Sequence, residues 1–339
     1  VDIRNVCDWA KMAKAIGLLS GGLDSTLAVR LILEMGIEVL AINFVTPFCT
    51  CTKKGCQNEA KKVSEKFGIE LKIIGFKEDY IALVKNPKYG YGKNMNPCID
   101  CRIFMFSKAR EIMEETSADF VFTGEVLGER PMSQNLRAMR IIEKESGLEG
   151  RLLRPLCAKY LPLTIVEKQG IVDRDRLLSI TGRSRKPQIS LAKSLGIDDY
   201  PCPAGGCRLT DPNFAKRLRE AFEHNEDSLV DITLLRYGRH FRLSSGAKVI
   251  VGRNEEENKI LESFASEERI LLETKDFKGP IALIYKHNGK EDVELAARIC
   301  LAYSDYDGNE KTIVKTGRDR EIFATPIGES EVGDYVTKL

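Results

Sequence analysis

The sequence is poor in what many enzyme classes require. It has only three histidines, His224, His240 and His287, and none stands at the spacing of a metal pair or a catalytic triad. No Gly-x-Ser-x-Gly or His-Glu-x-x-His run occurs, which removes the usual hydrolase and metalloprotease readings. No Gly-x4-Gly-Lys-Ser/Thr loop occurs either, so no lysine is set to escort a transferred γ-phosphoryl group. No apolar run approaches the roughly 18–20 residues of a membrane span. The opening stretch VDIRNVCDWAKMAK lacks a continuous apolar core, so no signal peptide and a cytoplasmic location are expected. Charge of one sign is also missing: 52 Lys+Arg against 50 Asp+Glu leave +2. That balance neither demands nor excludes nucleic acid. The local basic stretch TGRSRKP, residues 181–187, is either an RNA contact or a solvated loop. There is no internal repeat and no low-complexity tract.

What is present is an ordinary globular composition, 43% apolar and 30% charged, over 339 residues. That length suggests two or three domains. Residues 1–156 alternate short apolar runs with amphipathic stretches. AIGLL, EVLAINF, ELKIIGF and DFVFTG read as strands, with RLLRPL as a fifth; DSTLAVRLILEMG, CQNEAKKVSEKFG and CIDCRIFMFSKAREIMEETS read as helices. The class is α/β, with a parallel sheet covered on both faces. Residues 157–225 form a small, mostly helical appended segment, with helices at PQISLAKSLG and DPNFAKRLREAFEH. Residues 226–339 read as a separate α+β domain. Its expected antiparallel strands are SLVDITLLRYG, RHFRLSS, AKVIVG, RILLETK, GPIALIY, EKTIVKT and EIFATPI. Its helices are RNEEENKILESFA, with Asn254 and Glu257 as a capping box, and KEDVELAARICLAYSDY.

The stretch SGGLDS, Ser20 to Ser25, stands between the first strand and the first helix. Gly21 and Gly22 let backbone N–H groups approach phosphate oxygens, the helix N-terminus adds partial positive charge, and Ser20 and Ser25 offer hydroxyls. The bland alternative is a Gly-Gly turn capped by Asp24. With no lysine in the loop, the chemistry points to the α-phosphate, with pyrophosphate leaving into the loop.

Ten cysteines are many for such a chain. Cys7, Cys157 and Cys300 stand alone and are expected as buried fillers. The other seven group as Cys49, Cys51, Cys56; Cys98, Cys101; and Cys202, Cys207. Cys98 and Cys101 at i and i+3 share one face of a helix start, where the N-terminal dipole favours thiolates. With a cysteine of the Cys202–Cys207 loop they make three ligands; the resemblance given below makes it Cys207, with Cys202 as alternative or fourth ligand. Three cysteines on a [4Fe–4S] cluster would leave one iron open to present hydrosulfide. Three rivals stay open: a structural Zn2+ on Cys98, Cys101, Cys202 and Cys207, a cluster-free persulfide route through Cys101 and Cys207, and thiols placed by chance. Cys49, Cys51 and Cys56 form either a second metal site, a sulfide relay, a redox-sensitive loop or incidental thiols. The loop TGEVLGERPMSQN after the fourth strand should line the pocket, with Glu125, Arg130 and Gln134 as polar candidates.

SGGLDS after the first strand resembles the PP-loop ATP pyrophosphatase superfamily, whose adenine nucleotide α-hydrolase-like fold carries enzymes that adenylate a carbonyl oxygen. Residues 14–222 are similar to the tRNA 2-thiouridylases (MnmA-like). The likeness lies in Asn96-Pro-Cys-Ile-Asp-Cys101, in Thr123-Gly124 ending the fourth strand, and in SLAKSLGIDDYPCPAGGCRLTDPNF with Cys207. The family pattern has an aspartate at the place of Cys98, with Cys101 as attacking thiol and Cys207 as persulfide carrier. The C-x-x-C made by Cys98 is instead similar to the iron–sulfur-dependent tRNA thiolation enzymes of the superfamily. The resemblance implies ATP and Mg2+ as cofactors and tRNA and a sulfide or persulfide donor as partners. It implies ATP contacts at Ser20, Gly21, Gly22, Asp24, Ser25, Thr123 and Gly124, and catalysis by Asp24, Cys98, Cys101 and Cys207. Over 239–339, VIVGRNEEENKIL and ELAARICLAYSDYDG resemble the NFACT-R domain, an RNA-binding module. Two other readings compete: a non-catalytic RNA-binding protein with a degenerate PP-loop and structural zinc, and an adenylating enzyme that passes sulfur to a small molecule.

Overall fold

The computed structural model describes residues 12–50, 56–198, 200, 207–275, 277–306, 308, 312–316 and 320–335. Cys7, Cys51 and Cys202 lie outside the described residues, as do the side chains at 56, 329, 330 and 334. The chain divides into two compact units, Val1–Thr210 and Asp211–Leu339. The expected appended segment is thus shared: its residues 157–210 belong to the first unit and 211–225 to the second.

The first unit runs β1 (Lys14–Leu18), α1 (Leu23–Glu34), β2 (Glu38–Val45), α2 (Cys56–Phe67), β3 (Glu70–Gly75), α3 (Glu78–Lys85), α4 (Cys98–Glu115), β4 (Phe120–Thr123), α5 (Leu136–Glu145), β5 (Leu152–Leu153), α6 (Ile165–Lys168) and α7 (Lys186–Ser194). Its five strands are parallel, in the order β3-β2-β1-β4-β5. Period-two alternation explains the two covered faces. Ala15, Val39, Ala41, Phe120 and Phe122 meet Ala28, Val29 and Ile32 of α1 and Ala60 and Val63 of α2. Ile16, Leu40, Ile42 and Val121 meet Phe106, Ala109, Ile112 and Met113 of α4 and Ile142 of α5. Among the described residues no helix is long and apolar enough to cross a membrane.

Strand order places the site. From β1 the chain turns to β2 on one side, while β4 pairs on the other. The carboxyl ends of β1 and β4 therefore flank a switch point, where open parallel sheets leave a crevice for ligands.

The second unit holds α8 (Pro212–Glu223), α9 (Leu229–Leu234), β6 (Arg239–Arg242), β7 (Lys248–Val251), α10 (Glu255–Ser263), β8 (Arg269–Thr274), β9 (Ile281–Tyr285), α11 (Lys290–Leu301), β10 (Thr312–Thr316), β11 (Arg320–Ala324) and α12 (Glu329–Tyr335). Its six strands are antiparallel, in the order β11-β10-β8-β9-β7-β6. Two expectations need correction. SLVDITLLRYG is not a strand; α9 forms because Ser228 and Asp231 close a capping box at its start. Asn254 does cap α10, accepting the Glu257 N–H at 2.9 Å, but Glu257 does not complete the box. Its carboxylate instead accepts the N–H groups of Gly238 and Arg253 and pairs with the Arg253 guanidinium.

Candidate active site

The loop from Leu19 to Gly22 leaves β1 and enters α1. Gly21 has φ +75°, and a Cβ there would stand 2.6 Å from the Ala60 backbone nitrogen of α2. Left-handed backbone and a close neighbour together leave only glycine. Gly22 is the N-cap of α1, and no side chain caps that terminus. The first-turn amides are so disposed that an anion can take that role. The Ser20 and Ser25 hydroxyls lie 3.1 Å apart, and Ser25 donates to the Gly22 carbonyl at 2.9 Å. Across the switch point, Thr123 is buried and Gly124 presses on the start of α1: a Cβ on it would lie 2.5 Å from the Asp24 carbonyl and the Ser25 nitrogen.

Arg185, at the entry to α7, reaches this loop. Its guanidinium lies 3.0 Å from Asp24 Oδ2 and 3.1 Å from Glu129 Oε1. Burial, and then Glu129, push the Asp24 carboxyl above its ordinary value, while Arg185 opposes the shift. Arg185 belongs to TGRSRKP, and nothing in the sequence ties that stretch to Asp24. Arg130 is pulled below its ordinary value by burial and by Arg102. Its charge favours ionisation of both Asp24 and Cys98. Glu125 and Gln134 take structural parts. Glu125 is buried between Arg154 at 3.0 Å and Arg102 at 3.3 Å, and Gln134 Oε1 accepts the Arg130 N–H at 3.0 Å.

Cys98 and Cys101 open α4. Cys207 reaches them because residues 207–210 are stitched to two loops. Cys207 forms an antiparallel bridge with Cys49, flanked by the Arg208 N–H donating to Phe48 O at 2.9 Å. The Met95 N–H donates to Leu209 O at 3.1 Å, and Asn94 Nδ2 donates to Thr210 O at 2.7 Å. Tyr80 of α3, which no sequence motif marked, donates its hydroxyl to Cys101 Sγ at 3.0 Å.

The expected thiolates are not stabilised in this state. Burial pushes Cys207 up to about 12, and Cys101, Cys49 and Cys98 add to it. Burial also raises Cys101 against the Tyr80 hydrogen bond, and raises Cys98 against Arg102 and Arg130. Desolvation outweighs the helix dipole, whose effect at a terminus is the smaller of the two. None of the described cysteines is in a disulfide. Among the described residues, no group of three His, Cys, Asp or Glu side chains is placed to hold a single metal ion. Of the Cys49, Cys51, Cys56 group only the Cys49 side chain is described, and it lies with Cys207. Cys157 and Cys300 are buried fillers as expected; burial carries them to about 11 and about 12.

A glycine loop and uncapped helix start at the switch point of a parallel sheet define a nucleotide-binding α/β unit. Comparison with known proteins is consistent with that class and narrows it. Residues 11–173 match the family described as "Thiamine biosynthesis protein (ThiI)", and residues 238–336 match "NFACT protein RNA binding domain". These matches lie in two separate stretches of the chain, one similar to the ThiI family and the other to the NFACT-R domain. The chain is 30% identical over 163 residues to "Probable tRNA sulfurtransferase" of Thermococcus kodakarensis, covering 47% of this chain and 39% of that one. It is 25% identical over 224 residues to "tRNA-specific 2-thiouridylase MnmA 2" of Caldanaerobacter subterraneus, covering 60% and 57%. A solved 4-thiouridine synthetase–RNA complex with bound ATP is 23% identical, with TM-score 0.35, covering 66% of this chain and 52% of that one. The chain spans less than two thirds of the length of each of these relatives.

Proposed function

We propose that the chain is an ATP-dependent sulfurtransferase that replaces a uridine carbonyl oxygen of tRNA with sulfur. The observation that carries this reading is the uncapped glycine loop at the β1–β4 switch point, in a unit whose loops also bridge Cys49 to Cys207; the charge of Arg130 favours ionisation of both Asp24 and Cys98. A nucleotide site and a sulfur site thus lie within one electrostatic neighbourhood. The ThiI-family region and the names of the curated relatives support the reaction class. The NFACT-R region supports RNA as substrate, because a tRNA-modifying enzyme needs a second grip on its RNA.

The chemistry follows from these residues. The uridine oxygen attacks the α-phosphorus of ATP, and pyrophosphate leaves. The N–H groups at Gly21 and Gly22 and the hydroxyls of Ser20 and Ser25 would hold the departing phosphates. Asp24, with Glu129 beside it, supplies carboxylate for Mg2+. Arg185 and Arg130 offset the charge that a lysine would offset in other phosphate loops. Thr123 and Gly124 bound the nucleotide on the β4 side. Sulfur then displaces AMP.

Cys98, Cys101 and Cys207 are the residues that would hold a [4Fe–4S] cluster. Such a cluster, when bound, supplies one open iron as a Lewis acid for hydrosulfide. The donor chemistry, thiols alone, is that of an iron–sulfur centre; among the described residues no three of them are placed to hold a metal ion, and Cys202 lies outside those residues. Tyr80 orients Cys101, and Arg102 and Arg130 favour the ionised form of Cys98.

The test is an anaerobic assay with ATP, Mg2+, sulfide and tRNA, read as AMP release and thiolated nucleoside by mass spectrometry. tRNA-dependent AMP release with thiolation is expected. Absence of both in iron-loaded protein sinks the enzyme reading. Full thiolation by iron-free protein sinks the cluster and leaves the persulfide route.

A further inference from the structure

We propose that the first unit grips RNA by its phosphate backbone, on a basic track made of Arg137, Arg140 and Lys144 of α5 and Arg183 of the loop before α7. This rests on the RNA reading above and adds a grip outside the NFACT-R region.

All four side chains are exposed. Arg137, Arg140 and Lys144 stand three and four positions apart, so they share one face of α5 and span about 10 Å of its axis. The other face, Ala138, Met139 and Ile142, is buried, with Ile142 in one cluster with Ile16 and Val121 of the sheet. The basic row works against the helix that carries it. Its members are like charges at i,i+3 and i,i+4, which repel. The first turn holds Arg137 and no acidic residue, although the helix dipole there favours a carboxylate and opposes a cation.

The neighbouring carboxylates do not relieve this charge, because each has its own partner. Glu143 pairs with the buried Arg154, Glu145 with Lys88 at 2.5 Å, and Glu129 with Arg185 at 3.1 Å. Among the described residues, no carboxylate stands at ion-pair distance from any of the four. Spaced cations bound to no acid of the protein suit phosphates, which recur along a strand.

The track starts at the reaction site. Asn135 caps α5, accepting the Ala138 N–H at 2.9 Å, and donates its amide to Pro131 O at 2.8 Å. The Gly128 N–H donates to Gln134 O at 2.7 Å, so α5 springs from the folded loop that carries Arg130. Thr181 bridges to Leu127 of the same loop, and the Gly182 N–H donates to Leu127 O at 2.8 Å. The stretch TGRSRKP is thereby divided. Arg185 turns in to Asp24, and Arg183 is left outside for RNA.

The test is tRNA binding by the full chain, titrated at several salt concentrations. Arg137→Ala with Arg140→Ala should weaken binding by about tenfold. It should also lower the slope of log affinity against log salt by about 1.5, the share of two phosphates. Arg183→Ala, outside the helix, should lower the slope by about 1. Arg137→Lys with Arg140→Lys keeps both charges and should keep most of the affinity and the slope. The alanine pair should melt no lower than wild type, since it removes like charges from one helix face. Alanine variants with wild-type affinity and slope overturn the inference and leave the RNA reading standing. Weaker binding with an unchanged slope overturns it too, because no phosphate contact was then lost. Wild type that binds no tRNA even at low salt overturns both readings.

Discussion

The Arg185 guanidinium lies 3.0 Å from the Asp24 carboxylate, across 161 positions of chain. The glycine loop has no basic residue of its own, and this contact brings one to it. Arg185→Ala should therefore weaken ATP binding by about 1.5–3 kcal/mol, the contribution of a charged hydrogen bond. That is on the order of ten- to a hundredfold in Kd by calorimetry. Arg185→Lys should recover part of it. Unchanged ATP affinity in the alanine variant would count against a role for Arg185 in phosphate recognition.

Two glycines of the site should respond differently to alanine. A Cβ on Gly124 meets backbone at 2.5 Å, which cannot move without shifting α1. Gly124→Ala should lower stability by about 1–3 kcal/mol, as overpacking does, and lose ATP as well. Gly22 has φ −79°, and its Cβ would meet only Ser20 Oγ at 3.4 Å. Gly22→Ala should melt as wild type does, yet bind ATP poorly, because the methyl fills space meant for phosphate. Thermal melts beside ATP titrations separate the two cases.

Metal loading should be strongly pH-dependent. Burial holds Cys207 at about 12 and raises Cys98 and Cys101, so all three are protonated near neutrality. Each thiol must lose its proton to become a ligand. Iron uptake should tighten as pH rises from about 7 to 9, with protons released into the buffer. A flat profile over that range would mean that the three thiols are not the ligands.

In the second unit, the amine of Lys248 is fully buried 2.6 Å from Glu220, which Arg242 also bonds. Glu220→Ala leaves that amine without its partner and should cost about 3–5 kcal/mol in denaturant unfolding. Burial alone would raise the Glu220 carboxyl, but hydrogen bonds from Arg242 and Lys248 hold it below 4.5. A depressed folded-state value means that protons favour the unfolded chain. This contribution is therefore complete above the unfolded value and fades as pH falls through the folded one. Acid unfolding of Glu220→Gln should show a shallower slope in that range than wild type.

Much of the architecture was legible in the chain. The apolar strands separated by helices read as a parallel sheet because β1, β2 and β4 are buried on both faces. The loop SGGLDS was legible because backbone that must turn left-handed and approach a neighbour admits only glycine. What misled was local: SLVDITLLRYG has strand-like residues, but its start is fixed by one capping box, and helix won. What stayed hidden was spatial. Tyr80 lies in an unremarkable helix, Arg185 reads as surface charge, and Cys49 reads as part of a separate cysteine cluster.

The sequence by itself determined most of the elements, the glycine turn after β1 and the cysteine pair at the start of α4, because these depend on neighbours a few residues apart. Only the tertiary structure decided which distant groups share the site. Arg185 meets Asp24, Tyr80 meets Cys101 and Cys49 meets Cys207 through strand order and loop stitching. Those are contacts between remote segments, and no local pattern encodes them. It also decided the charge state of the thiols, because desolvation is a property of the packed interior.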